Sequence, residues 1–145
     1  MTTEQCAQSQ LPIGLFDSGV GGLTVLDAMR RLMPGEDYLF LGDTARVPYG
    51  AKSQKTIVRY SLQAAAKLIS QRIKLLVIAC NTATAAALPT LRETWPDMPI
   101  IGVIEPGSRA ACEASPSGDI AVIATESTIR SGAYERLIRA ENPAA

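Results

Sequence analysis

Short apolar runs alternate along the chain with longer stretches in which apolar residues return every three or four positions. Short runs fit strands, whereas the 3.6-residue period fits amphipathic helices. The pattern predicts strands over Ile13 to Phe16, Tyr38 to Leu41, Lys74 to Ala79, Ile100 to Ile104 and Ile120 to Ala124, with helices filling the gaps. This alternation builds an α/β fold: an open parallel sheet of βα repeats with helices on both faces. The clearest helix follows Ser53, a good N-cap, and turns Ile57, Val58, Leu62, Ala65, Ala66, Leu68 and Ile69 inward. Lys55, Arg59, Gln63 and Lys67 share the opposite, solvated face. Trp95-Pro96 and Met98-Pro99 stop the helix that follows Cys80. They also mark a lobe boundary, between a first α/β lobe (12–98) that follows a loose N-terminal tail (1–11) and a second stretch (99–145).

Composition narrows the classes of function. The 145 residues suffice for one core, and 14 Lys and Arg balance 14 Asp and Glu. With no basic stripe, neither nucleic acid nor an anionic membrane surface is expected as a partner. The longest apolar runs fall far short of the roughly 20 residues of a spanning helix. The first eleven residues hold no apolar signal core, so the expected location is cytoplasmic. Cys6, Cys80 and Cys112 are odd in number and far apart, which fits reduced thiols. With no histidine and no paired-cysteine spacing, no metal site is expected.

The strand tips carry the candidate chemistry, because open α/β sheets bind ligands beyond the carboxyl ends of their strands. Ala79-Cys80-Asn81-Thr82-Ala83 puts a thiol where the third strand hands over to a helix, whose positive end favours the thiolate. A buried, inert cysteine is the alternative there. The first strand ends in Asp17-Ser18-Gly19-Val20-Gly21-Gly22, a glycine-rich turn. Thr24 replaces the third glycine of a dinucleotide loop, and the Asp17 carboxylate would repel a pyrophosphate. A carboxylate beside backbone N–H donors better suits an amino acid, although Asp17 also reads as a helix cap. The second strand leads into Gly42-Asp43-Thr44-Ala45-Arg46-Val47-Pro48-Tyr49-Gly50, where Tyr49 offers a hydroxyl and Gly50 an open N–H, or the segment is simply a turn. Polar clusters also follow the fourth and fifth strands, at Glu105 and at Thr125 to Thr128. Several such tips around one thiol point to a pocket.

Phe16-Asp17-Ser18-Gly19-Val20-Gly21-Gly22-Leu23, Val47-Pro48-Tyr49-Gly50, Ala79-Cys80-Asn81-Thr82-Ala83 and Gly102-Val103-Ile104-Glu105-Pro106, in this order and spacing, closely resemble the N-terminal half of the glutamate racemases, from about Ile13 to Arg139. The resemblance implies the flavodoxin-like lobe of the Asp/Glu racemase fold. It also implies cofactor-independent interconversion of L- and D-glutamate by two thiols, supplying D-glutamate for peptidoglycan in the cytoplasm. Cys80 would be one acid/base thiol, with Asp17, Ser18, Tyr49, Gly50, Asn81 and Thr82 holding the substrate and Thr125 and Thr128 lining the site. Aspartate and hydantoin racemases share the two-thiol logic, but the Asp-Ser-Gly-Val-Gly-Gly and Pro-Tyr-Gly motifs favour glutamate.

The family's other cysteine, in a Gly-Cys-Thr-His motif, has no counterpart here, and Cys112 lies in a helical stretch rather than at a strand tip. The expectation is therefore a truncated racemase, inactive or weakly active alone. A non-catalytic amino-acid-binding or regulatory fragment and a gene remnant stand as alternatives. A homodimer facing Cys80 to Cys80 would restore two thiols.

Overall fold

The computed structural model describes residues 10–145. Cys6 and most of the expected N-terminal tail lie outside the described residues. Four parallel strands form one sheet: β1 (Ile13–Asp17), β2 (Tyr38–Gly42), β3 (Leu75–Ile78) and β4 (Ile100–Gly102), in the order β2-β1-β3-β4. The helices are α1 (Leu23–Leu32), α2 (Gln54–Ile69), α3 (Asn81–Thr94), α4 (Ile104–Ala114), α5 (Glu126–Ser131) and α6 (Ala133–Glu141), with a 3₁₀ turn at Tyr49–Ala51.

The side-chain period of two sorts the sheet into two cores. Phe16, Leu76, Ile78 and Ile100 meet Ile57, Ala65 and Leu68 of α2 and Ala83, Ala87 and Leu91 of α3. Ile13, Leu15 and Val77 point the other way, against Val25, Leu26 and Met29 of α1. Strand β1 is buried along its whole length, as expected of a central strand of a parallel sheet. Register pairs Phe16 with Leu41 on one side and with Ile78 on the other. The tips of β1 and β3 thus lie side by side. Because β1 connects to β2 on one side while β3 lies on the other, the strand order reverses between them, which is where this class of sheet leaves a crevice.

Ser53 caps α2 as expected, its hydroxyl accepting from the Thr56 N–H at 3.3 Å. Trp95 terminates α3. Three expectations need correction. Ala66 is exposed, because α2 packs through Ser61, Ala64, Ala65 and Leu68, a stripe one position narrower. The fourth strand stops at Gly102, and Ile104 is a buried residue of α4. β4 pairs with β3 in the same parallel sheet.

Ile120 to Ala124 is not a strand. A strand is defined by its partner, and no described residue offers its backbone to this segment.

Candidate active site

At the tip of β1 the Asp17 carboxylate is buried, and its Oδ2 accepts from the N–H groups of Gly19 and Gly22, both at 3.1 Å. This ties down the glycine-rich turn that opens α1. The turn must come close: a Cβ on Gly22 would lie 2.7 Å from the Asp17 Cβ and 2.9 Å from the Ala79 Cβ. Oδ1 of Asp17 has no hydrogen-bond partner among the described residues. The next residue, Ser18, puts its hydroxyl 3.1 Å from the Cys80 sulfur.

Cys80 is the N-cap of α3, and its sulfur accepts from the Ala83 N–H at 3.4 Å. A helix N-terminus presents unpaired N–H groups and the positive end of the macrodipole, which stabilise an anion there. The thiol is buried at 6 % exposure yet lines a cleft of about 540 Å³. Asp17, Ser18, Asn81, Thr82 and Thr125 line the same cleft, together with Val103 and Tyr134. Cys112 is elsewhere, buried in α4 with its sulfur toward the Ile138 carbonyl. Among the described residues Cys80 is the one thiol in the cleft.

The remaining residues singled out in the sequence enter differently. Thr82, Thr125 and Thr128 form a hydroxyl triangle, with oxygens 2.9, 3.0 and 3.3 Å apart. Thr125 also caps α5 by accepting from the Thr128 N–H. This triangle joins the start of α3 to α5 across more than forty residues of chain. Tyr49 does not line the cleft: it is 1 % exposed, packs on Phe16 and Tyr60, and donates its hydroxyl to the Asp43 carboxylate at 2.5 Å. Burial, and then the adjacent Asp43 carboxylate, push the Tyr49 phenol well above its ordinary range, so it stays a donor. Gly50 faces a neighbouring cleft of about 670 Å³. There a Cβ would meet the Thr125 Cβ at 2.7 Å, so only glycine lets the loop approach the threonine triangle.

Two contributors escaped the sequence reading. Asp43 accepts from Tyr49 and pairs with Arg46 at 2.8 Å, while its own N–H donates to the Asp17 carbonyl at 2.9 Å. It thereby ties the long loop to the tip of β1. A carboxylate at the carboxyl end of β2 was the available signal. Tyr134, on α6, donates to the Asn81 Oδ1 at 2.7 Å. Burial raises its phenol above the ordinary range as well, and nothing local in the sequence marks it. Among the described residues, no group of three or more His, Cys, Asp or Glu could hold a metal ion.

A carboxylate with one free oxygen, a thiol at a helix N-terminus and hydroxyl donors around one cleft suit a small ligand carrying both an ammonium and a carboxylate. A glutamate racemase from Geobacter metallireducens is 56 % identical over 131 residues, covering 90 % of this chain and 48 % of the relative. The solved structure of glutamate racemase isoform RacE1 from Bacillus anthracis superposes with a TM-score of 0.88 at 41 % identity, covering 92 % of this chain and 50 % of that one. The Francisella tularensis glutamate racemase, solved in complex with D-glutamate, superposes with a TM-score of 0.83 at 40 % identity, over 92 % of this chain and 50 % of that one. The chain spans about half the length of the curated relatives it matches. With residues 13–143 matching the family model for Asp/Glu/Hydantoin racemase, the chain belongs to that family.

Proposed function

We propose that this chain supplies one acid/base face of a glutamate racemase that works without a cofactor. Cys80, as thiolate, takes the Cα proton of glutamate. The Cα–H bond breaks, the proton passes to sulfur, and the electron pair stays on the substrate, spread into its carboxylate. A proton delivered to the opposite face by a second thiol completes the inversion. In this reading Asp17 Oδ1 faces the substrate ammonium, and Ser18, Asn81 and Thr82 donate to its carboxylates. Tyr49, Gly50, Thr125 and Thr128 hold the walls in place. The D-glutamate formed serves peptidoglycan synthesis in the cytoplasm.

The observation that carries this reading is the placement of the Cys80 sulfur at the N-cap of α3, 3.1 Å from Ser18 and beside Asp17, on the wall of one cleft. The test is incubation with L-glutamate and, separately, with D-glutamate in D₂O, following Cα deuteration by NMR and optical rotation by circular dichroism, with Cys80→Ala as the control. The expected outcome is Cys80-dependent deuteration, with net racemisation slower by about 10² to 10⁴ than in a two-thiol relative. Glutamate binding without deuteration would instead favour an amino-acid-binding module, a reading supported by Cys80 being the one thiol in the cleft among the described residues. Absence of both binding and deuteration would overturn the two together.

A further inference from the structure

We infer that Tyr134 is a positioning residue of the Cys80 cleft: its hydroxyl engages Oδ1 of the Asn81 amide and leaves Nδ2 to donate to a substrate carboxylate. The inference rests on the proposed function, since it takes Asn81 as a donor to glutamate. Asn81 is the first residue of α3, directly after the Cys80 cap, and lines the same cleft. The Tyr134 hydroxyl donates to Asn81 Oδ1 at 2.7 Å from a position on the wall of that cleft. Among the described residues nothing accepts from Asn81 Nδ2.

The fold seats the phenol there. Helix α6 follows α5 after the single residue Gly132, which puts Tyr134 in its first turn, and α6 packs against α4. Gly107 of α4 leaves room for the ring: a Cβ there would lie 3.3 Å from the Tyr134 hydroxyl and 3.6 Å from its Cε1. This glycine directly follows Glu105-Pro106, the end of the one sequence motif to which the proposed chemistry gives no role. Seating Tyr134 gives that segment a task.

A side-chain amide offers an acceptor at one end and two donors at the other, whereas an ionised carboxylate only accepts. An amide turned the wrong way would therefore set Oδ1 against the carboxylate. A phenol donor on Oδ1 opposes that rotation and withholds the acceptor that a carboxamide ligand would need. Burial raises the Tyr134 phenol above its ordinary range, so it keeps its proton and stays a donor. Through Asn81, Tyr134 thus favours a carboxylate over an amide at one end of the ligand. Because Asn81 is exposed, water competes for it, and the expected effect is a few-fold.

The test is titration, followed by NMR, with L-glutamate, its γ-amide L-glutamine and its α-amide L-isoglutamine, in the wild type, Tyr134→Phe, Asn81→Ala and the double variant. Tyr134→Phe is expected to weaken glutamate about three- to tenfold, and to weaken the monoamide whose amide meets Asn81 by less than about twofold. The other monoamide keeps the carboxylate at Asn81 and should weaken as glutamate does. In the Asn81→Ala background Tyr134→Phe should have no further effect. If Tyr134→Phe is less stable, an unfolded fraction lowers all three ligands alike, so the difference between them still decides. Equal weakening of all three, unchanged glutamate binding in Tyr134→Phe, or an undiminished effect in Asn81→Ala would each overturn the inference and leave the proposed function standing. No glutamate binding by the wild type, or full binding by Asn81→Ala, would overturn the inference together with the role proposed for Asn81.

Discussion

The Ser18 hydroxyl and the Cys80 sulfur lie 3.1 Å apart, although 62 residues of chain separate them. The contact exists because β1 and β3 are neighbours in register, so that Ser18 and Cys80, each two residues beyond the paired Phe16 and Ile78, fall at the same edge of the sheet. A hydroxyl there can donate to a thiolate, and hydrogen bonds to charged groups contribute about 1.5 to 3 kcal/mol. With iodoacetamide and peptide mapping at neutral pH, Cys80 should be alkylated faster than Cys112, which is buried in α4. Ser18→Ala should slow Cys80 on the order of tenfold without affecting Cys112. An unchanged Cys80 rate in Ser18→Ala would remove the hydroxyl from the thiol's activation.

Asp17 combines two tasks that one substitution separates. Asn at position 17 can still accept from the Gly19 and Gly22 N–H groups but carries no charge. Asp17→Asn should therefore cost only about 1 kcal/mol in urea unfolding, while glutamate binding by calorimetry falls at least tenfold. Asp17→Ala, which strands the buried Gly22 N–H and the half-buried Gly19 N–H, should cost about 1 to 3 kcal/mol more. Full binding in Asp17→Asn would leave the carboxylate with a capping role alone.

The Tyr49–Asp43 pair makes stability depend on pH in a defined direction. The folded-state phenol titrates above its unfolded value of about 10, so the native state holds its proton longer than the unfolded chain. This contribution is complete below pH 10 and is lost as pH rises beyond it, with a limiting slope of about 1.4 kcal/mol per pH unit for one proton. Urea titrations between pH 8 and 11 should show that loss in the wild type, with a smaller slope in Tyr49→Phe. At pH 8 the same variant should be less stable by about 1 to 3 kcal/mol, because Asp43 loses a buried donor. Parallel slopes for the two proteins would contradict the assignment.

Gly50 is a packing constraint on the threonine triangle. Gly50→Ala places a methyl 2.7 Å from the Thr125 Cβ and 2.8 Å from its Cγ2, which forces Thr125 away from Thr82. The expected cost is about 1 to 3 kcal/mol, typical of overpacking, read as a lower midpoint of thermal unfolding. A neutral effect would show that the loop shifts freely.

Local pattern was enough to read much of this molecule. The alternation of side chains in β1 and β3, the Ser53 cap of α2 and the strand-to-helix handover at Cys80 depend on residues within a few positions of each other, and each is legible in the sequence. The family resemblance rested on motifs of the same local kind. Tertiary structure decided what those motifs touch. The Tyr49 hydroxyl, read as a contact for substrate, turns inward to Asp43, because a buried phenol needs an acceptor and the folded loop brings one to it. Tyr134 reaches Asn81 from 53 residues away, and Thr82 reaches Thr125 from 43, distances over which no periodicity operates. Ile120 to Ala124 has the composition of a strand and lacks the pairing. Composition is a property of the segment itself, whereas a strand exists only through the backbone groups of another, and those are supplied by the fold.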